Sequence, residues 1–161
     1  MEVTVRRATA AEAAVLGDVG FAAWADSAFA NVDAGRVDRH KLLADFRSFG
    51  LTHASRTLVA ARGPEILGWG AREGDDACIS DLWVAPGHQG QGIGGRLLAA
   101  LVDEVAAAGH AVATLETLAS NSTAITFYQT HGFIVSWRRE KFSSTLGYAI
   151  DKVGMNKSLT V

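Results

Sequence analysis

Val3 and Val5 alternate with Thr4 and Arg6, the two-residue period of a short strand. Thr9-Ala-Ala-Glu12 is a capping box, which predicts a helix running to about Trp24 with Leu16, Val19 and Ala23 on one face. Residues 25–37 carry no period and read as a loop. Leu42, Leu43, Phe46 and Phe49 return at helical spacing and predict a second helix ending near Gly50. Three strand-like runs follow: Thr57–Ala61, Ile66–Arg72 and Ala77–Val84. Turn chemistry at Arg62-Gly-Pro-Glu65 and Glu73-Gly-Asp-Asp76 makes them an antiparallel meander. After a glycine-rich loop, Ile93, Leu97, Leu98, Leu101, Val102 and Val105 form the broad apolar face of a helix that starts near Gly92 and stops at Gly109. Val112–Thr117 reads as a strand, Ser122–His131 as a helix closed by Gly132, and Phe133–Arg139 and Ile150–Leu159 as closing strands.

The order β-α-α-β-β-β-α-β-α-β-β combines an antiparallel meander with one strand–helix–strand unit, which implies a locally parallel pair. It predicts an α/β fold with a mixed central sheet and helices on both faces. The 161 residues fit one domain, since a domain averages about 150 residues. Composition narrows the function more than the fold. With 48% hydrophobic and 20% charged residues the chain is globular rather than disordered. A net charge of −2 gives no bulk attraction for nucleic acid. Cys78 is the single cysteine, which excludes an internal disulfide and a cysteine-rich zinc site. His40, His53 and His110 have no metal spacing, so no metal is expected. Met1–Arg7 leads into no apolar core, and the uncharged stretch Thr117–Trp137 is too polar to span a membrane. The expectation is a cytoplasmic protein.

The loop Pro86-Gly-His-Gln-Gly-Gln-Gly-Ile-Gly-Gly-Arg96 packs five glycines between Gly87 and Gly95 and runs straight into a helix. Glycine lets backbone approach a ligand, and the unpaired N–H groups and dipole of a helix N-terminus attract anions. Strand, glycine loop and helix in this order make a phosphate cradle. A P-loop is excluded, because no Gly-Lys-Ser/Thr closes the run. The dinucleotide pattern G-x-G-x-x-G is met by Gly90, Gly92 and Gly95, with Glu116 about 20 residues on. Against it, Ala85–Gln89 separate the strand from the first glycine, and the upstream strands are antiparallel.

A third pattern, Gln/Arg-x-x-Gly-x-Gly/Ala, is met by Gln89, Gly92 and Gly94. It resembles the acetyl-CoA pyrophosphate loop of the GNAT superfamily of acyl-CoA-dependent N-acyltransferases. Leu82-Trp-Val-x-Pro86 resembles that superfamily's fourth strand, and Asn121-x-x-Ala124-x-x-Phe127-Tyr128-x-x-x-Gly132-Phe133 its fourth helix and the strand beyond. The resemblance is strongest over residues 77–140. It implies acetyl-CoA as cosubstrate, with phosphates on Gln89, Gly90, Gln91, Gly92, Ile93, Gly94 and Gly95. It also implies a pantetheine arm along the backbone of Leu82, Trp83 and Val84, and Asn121, Ala124 and Phe127 nearby. Many members carry Arg or Lys in the loop. Here Gln89 and Gln91 stand there, which leaves the work to backbone N–H groups, with Arg96 one turn into the helix as the nearest cation.

An amine attacking a thioester must lose a proton, and the departing thiolate gains from receiving one. The resemblance implies that Tyr128 protonates sulfur. A phenol with pKa about 10 is protonated at neutral pH and able to donate. Glu116 is the candidate base, because Leu115-Glu-Thr-Leu-Ala-Ser-Asn121 resembles Leu-Glu-Val-Arg-x-x-Asn in ribosomal-protein alanine N-acetyltransferases, where the matching Glu is the base. It would act through water, or after burial raises its pKa. Asp81 is the second candidate. Cys78, within a strand, suits an acyl-enzyme poorly, so direct attack in a ternary complex is expected.

In this superfamily the acceptor pocket is framed by residues matching 24–37 and 140–149. These contain Trp24, Phe29, Asn31, Asp33, Phe142 and Tyr148, aromatic walls suited to a small-molecule amine or a peptide N-terminus. Arg138-Arg-Glu-Lys-Phe142 and Met155 look like the tail of the ribosomal-protein enzymes, but Leu118 and Phe142 replace an Arg and a Tyr expected there. The cationic run at 138–141 reads as a solvated patch or as an attractor for an acidic acceptor or for the CoA phosphates. His88 reads as a solvated turn residue. A non-catalytic acyl-CoA sensor is the alternative of another class. Exposed strand edges and Trp137 leave a homodimer open.

Overall fold

The computed structural model describes residues 2–27, 30, 37–73, 77–143 and 147–159. In chain order these form β1 (Val3–Arg7), α1 (Ala13–Ala25), α2 (Arg39–His53), β2 (Thr57–Arg62), β3 (Glu65–Arg72), β4 (Ile79–Val84), α3 (Ile93–Ala107), β5 (Val112–Leu118), α4 (Ser122–Thr130), β6 (Ile134–Ser143) and β7 (Tyr148–Ser158). The element order is the one the hydrophobic pattern predicts.

Local chemistry sets the first elements. The Thr9 N–H donates to Glu12 Oε1 at 2.9 Å, closing the capping box over a 3-10 turn that leads into α1. The Arg6 guanidinium grips the same carboxylate at 3.0 and 2.8 Å and pulls its pKa down to about 2. α2 begins at Asp38, whose side chain accepts from the Lys41 N–H at 3.1 Å. It runs past Gly50, the expected stop, to His53. Gly50 is there for packing: a Cβ would lie 3.0 Å from the Ala13 Cα of α1. Gly17 and Gly20 of α1 meet Arg47 and Phe46 of α2 in the same way, so glycines let the two helices lie close.

The strands form two antiparallel groups, β1-β2-β3-β4 and β5-β7-β6. The expected parallel pair exists between β4 and β5, but as one bridge, Cys78 to Thr114, with the Thr114 N–H on the Ala77 carbonyl at 2.9 Å. Beyond it no rung joins the two strands among the described residues. α3 covers one face, packing Leu97, Leu98, Leu101 and Val105 on Ala60, Leu67, Leu115 and Met155. α1 and α2 cover the other, where Leu16, Trp24 and Phe46 meet Val59, Trp69, Leu118 and Ile150. Trp69 Nε1 donates to the Leu16 carbonyl at 2.8 Å, which pins α1 to the sheet.

The last two strands are longer than their sequence pattern suggests. β6 continues through Ser143 and pairs Phe142 with Ala149 and Ser143 with Tyr148. The expected connection at 140–149 is therefore mostly hairpin. The period-two signal was hidden because charged residues occupy both faces of β6: Arg138 pairs with Asp151 on one side at 2.7 Å, and Lys141 reaches Glu116 on the other. No helix among the described residues is long and apolar enough to cross a membrane.

Candidate active site

β4 divides two cavities, and strand alternation decides which side chain serves which. Leu82 and Val84 line a cavity of about 740 Å³; Asp81 and Trp83 line one of about 510 Å³.

The larger cavity is walled by the glycine loop, α4 and the end of α1. Of the residues singled out by sequence, Leu82, Val84, Gln89, Gly90, Gly92, Ile93, Gly94, Gly95, Asn121, Ala124, Phe127 and Tyr128 line it. Gln91, Trp83 and Arg96 are not in its lining. Arg96 reaches instead to β1, donating to the Val3 carbonyl at 2.7 Å. Ala23, Asp26, Ser27, His88 and Thr123 complete the wall. Sequence had marked His88 as a turn residue, and nothing in the pattern flagged Asp26.

Gly90 and Gly92 have φ of 75° and 80°, a left-handed conformation that side chains resist, and a Cβ on either would meet nothing within 4 Å. Protein packing therefore does not require these glycines, and the space above them is open to a ligand. Gly94 and Gly95 differ: Phe127 and His131 press on them at 3.4 and 2.9 Å from an added Cβ. The first helical bond, Arg96 N–H to Gly92 carbonyl, leaves the preceding N–H groups of α3 without intrahelical partners. No Lys or Arg lines this cavity among the described residues, so the cradle is made of backbone and helix dipole. The Gln89 side chain caps the Val84 carbonyl at 3.2 Å, and Asn121 caps α4 by accepting from the Ala124 N–H at 3.2 Å.

The smaller cavity holds both carboxylates considered for the base, Asp81 and Glu116. Asp81 accepts from Trp83 Nε1 at 3.1 Å and from Ser80 Oγ at 2.9 Å. Burial raises its pKa above the usual carboxylate range despite those two donors. Tyr128, in the other cavity, is pushed up to about 12 by burial and then by the negative charge of Asp81. The two groups thus feel each other across β4.

Glu116 behaves differently from its expectation. Burial does push its pKa up, but Lys141 at 2.6 Å and Lys152 at 3.4 Å outweigh that and hold it below the ordinary value. Phe46, Phe49 and Trp83 supply aromatic wall. Of the other aromatic candidates, Phe142 also lines this cavity, while its side chain is 66% exposed in the hairpin. Trp24 is in the core. Phe29, Asn31 and Asp33 lie outside the described residues. Trp137 packs on Gly154 beneath the Arg139 guanidinium, 4.2 Å from its ring centre. Cys78 lines the smaller cavity, at the bridge just before β4. No cluster of three or more metal-ligating side chains occurs among the described residues.

Residues 21–133, which carry this glycine loop and both β4 and α4, match the model of the acetyltransferase (GNAT) family. The chain belongs to the GNAT family. As a GNAT enzyme it is an acyltransferase, an acetyl-CoA-dependent N-acetyltransferase. Over 122 residues it is 30% identical to the [ribosomal protein bS18]-alanine N-acetyltransferase of Escherichia coli, covering 76% of this chain and 72% of the relative. Among solved structures, apo YjaB from Escherichia coli superposes with a TM-score of 0.77 at 20% identity, covering all of both chains. The putative acetyltransferase yncA from Salmonella typhimurium, solved with acetyl-CoA, gives 0.70 at 24% identity, covering 100% of this chain and 96% of that one. At these identities the two structures show a shared GNAT fold. The open, left-handed glycines at 90 and 92 are the observation that fits this GNAT chain to a phosphate-bearing cosubstrate.

Proposed function

We propose that the protein acetylates a small primary amine by direct attack in a ternary complex. The observation that carries this reading is the alternation of β4. One strand gives a desolvated carboxylate, Asp81, to one cavity and the wall of the cosubstrate cavity, Leu82 and Val84, to the other. Bound acetyl-CoA supplies the acyl group as a thioester. The loop 89–95 and the α3 N-terminus hold its phosphates. The open edge of β4 receives the pantetheine arm.

The acceptor arrives as an ammonium, which has no lone pair. Asp81, with its raised pKa, takes that proton. The nitrogen bonds to the acetyl carbon, the carbon–sulfur bond breaks, and the Tyr128 hydroxyl gives its proton to the departing thiolate; the second proton shed by the nitrogen as it becomes an amide restores the Tyr128 hydroxyl. Asp81 is better placed for the base role than Glu116. Two lysines stabilise the ionised form of Glu116 and weaken it as a base, whereas burial strengthens Asp81. The ribosomal-protein relative supports a second reading, a peptide N-terminus as acceptor. Leu118, buried in the core, offers no cation where those enzymes have Arg.

Release of CoA thiol from acetyl-CoA, measured over amino acids, polyamines, aminoglycosides and peptides with Ala or Ser N-termini, tests the reading. Turnover confined to peptides would replace it with the second. In the same assay Tyr128→Phe is expected to lower kcat about tenfold with little change in the KM of acetyl-CoA. The effect is modest because a thiolate with pKa near ~8.5 already leaves tolerably. An unchanged kcat removes Tyr128 from the acid role.

A further inference from the structure

Lys141 of β6, Lys152 of β7 and Glu116 of β5 meet on one wall of the smaller cavity. Register puts all three on one face of their sheet: Lys141 pairs with Ile150, and Glu116 with Gly154, alternate positions to Lys152. Two ammonium groups on one carboxylate leave this wall with a net positive charge. The Lys152 side chain is only 17% exposed, and its one anionic partner among the described residues is 3.4 Å away. A good charged hydrogen bond is shorter, about 2.7–2.9 Å. A half-buried ammonium has three donors, and its one long contact to Glu116 leaves donors available to a ligand in the cavity. The rest of the lining carries the other sign. Asp81 stands there with Asp45, paired with Lys41 at 2.9 Å, and with Glu73, 3.7 Å from His53 Nε2. Phe46, Phe49 and Trp83 line the same cavity.

We infer that the acceptor is a carboxylate-bearing amine of the amino-acid class, its ammonium toward Asp81 and its carboxylate on Lys141 and Lys152. Glu116 is then a positioning residue that holds both ammonium groups at the carboxylate site. This rests on the N-acetyltransferase reading above and sharpens it. A peptide N-terminus has an amide where this site places an anion, so peptides are poor acceptors.

The test compares α-amino acids and short ω-amino acids with their carboxamides, their decarboxylated amines and the Ala and Ser peptides, by thiol release. An acid is expected to exceed its own carboxamide by about 10- to 100-fold in kcat/KM, the range for charge-assisted hydrogen bonds. Lys152→Met raises the KM of the acid about tenfold and collapses the acid-over-amide preference, while Lys152→Arg, which keeps the charge, restores most of it. Circular dichroism confirms that both variants fold. Glu116→Gln also raises that KM but keeps the acidic limb of the pH–rate profile, which a base substitution would erase. Equal rates on acids and amides, preference for peptides, or loss of the acidic limb in Glu116→Gln would each overturn the carboxylate site while leaving an N-acetyltransferase. Absence of turnover on every amine would overturn both.

Discussion

Exchanging Asp81 for Asn is expected to lower kcat/KM by about 100-fold at neutral pH, the lower end of what a positioned general base contributes. Asparagine keeps the shape and accepts from Trp83 Nε1, but it takes no proton. The pH dependence identifies the cause. With Asp81 as the base, native activity is expected to fall as pH drops through its raised pKa, because only the ionised carboxylate takes a proton. In the variant that limb disappears, and the rate climbs tenfold per pH unit until the amine's own pKa, near ~8 for an α-amino group. The shortfall therefore shrinks as pH rises. Stability moves the opposite way. A carboxyl whose folded pKa lies above its unfolded value favours the fold at pH below the unfolded pKa, and that support is lost as pH rises through the folded pKa. Above that folded pKa the ionised Asp81 is a liability to the fold, so there Asp81→Asn melts no lower than the native protein. Loss of rate with an unshifted acidic limb would assign the base elsewhere.

Gly92→Asp is expected to weaken acetyl-CoA binding by more than about 100-fold, read by titration of the cosubstrate. Gly92 is the N-cap of α3 at φ 80°, and an L-residue there costs about 1–2 kcal/mol. An added Cβ meets no protein atom within 4 Å, so the fold is left nearly intact. What the carboxylate does meet is the position assigned to the phosphates, at the positive end of the helix. Gly92→Asn separates the effects: it has the same shape, tolerates the left-handed conformation and carries no charge. Affinity lost in both variants alike would mean steric exclusion alone, and affinity kept in the Asp variant would remove the phosphates from this loop.

Much of this site was legible in the chain because its parts are local. The capping box at Thr9, the glycine run from Gly87 to Gly95, the apolar face of α3 and the Asn121–Tyr128 spacing each lie within a few residues. The rest depends on register and on packing between distant segments. The pairing of Glu116 with Lys141 and Lys152 joins three strands, so the pattern around Glu116 suggested a base where the fold builds an ion pair. Asp81 looked secondary because its desolvation comes from neighbours such as Trp83 and from helices across the cavity. Gly50 read as a helix stop because sequence cannot show the Ala13 backbone lying against it.

The lone bridge between Cys78 and Thr114 gives the enzyme the mechanics of a book with a short spine. Along most of the gap between β4 and β5 no rung joins the two leaves, and α3 is the cover that keeps them together. On the proposed placement, a cosubstrate arm laid along β4 would supply the missing rungs and act as a bookbinder's stitch. The substrate would then be part of the scaffold while it is bound. At about 100 times its dissociation constant such a ligand adds roughly 2.7 kcal/mol to the folded state. Amide exchange should slow most along the facing edges of the leaves.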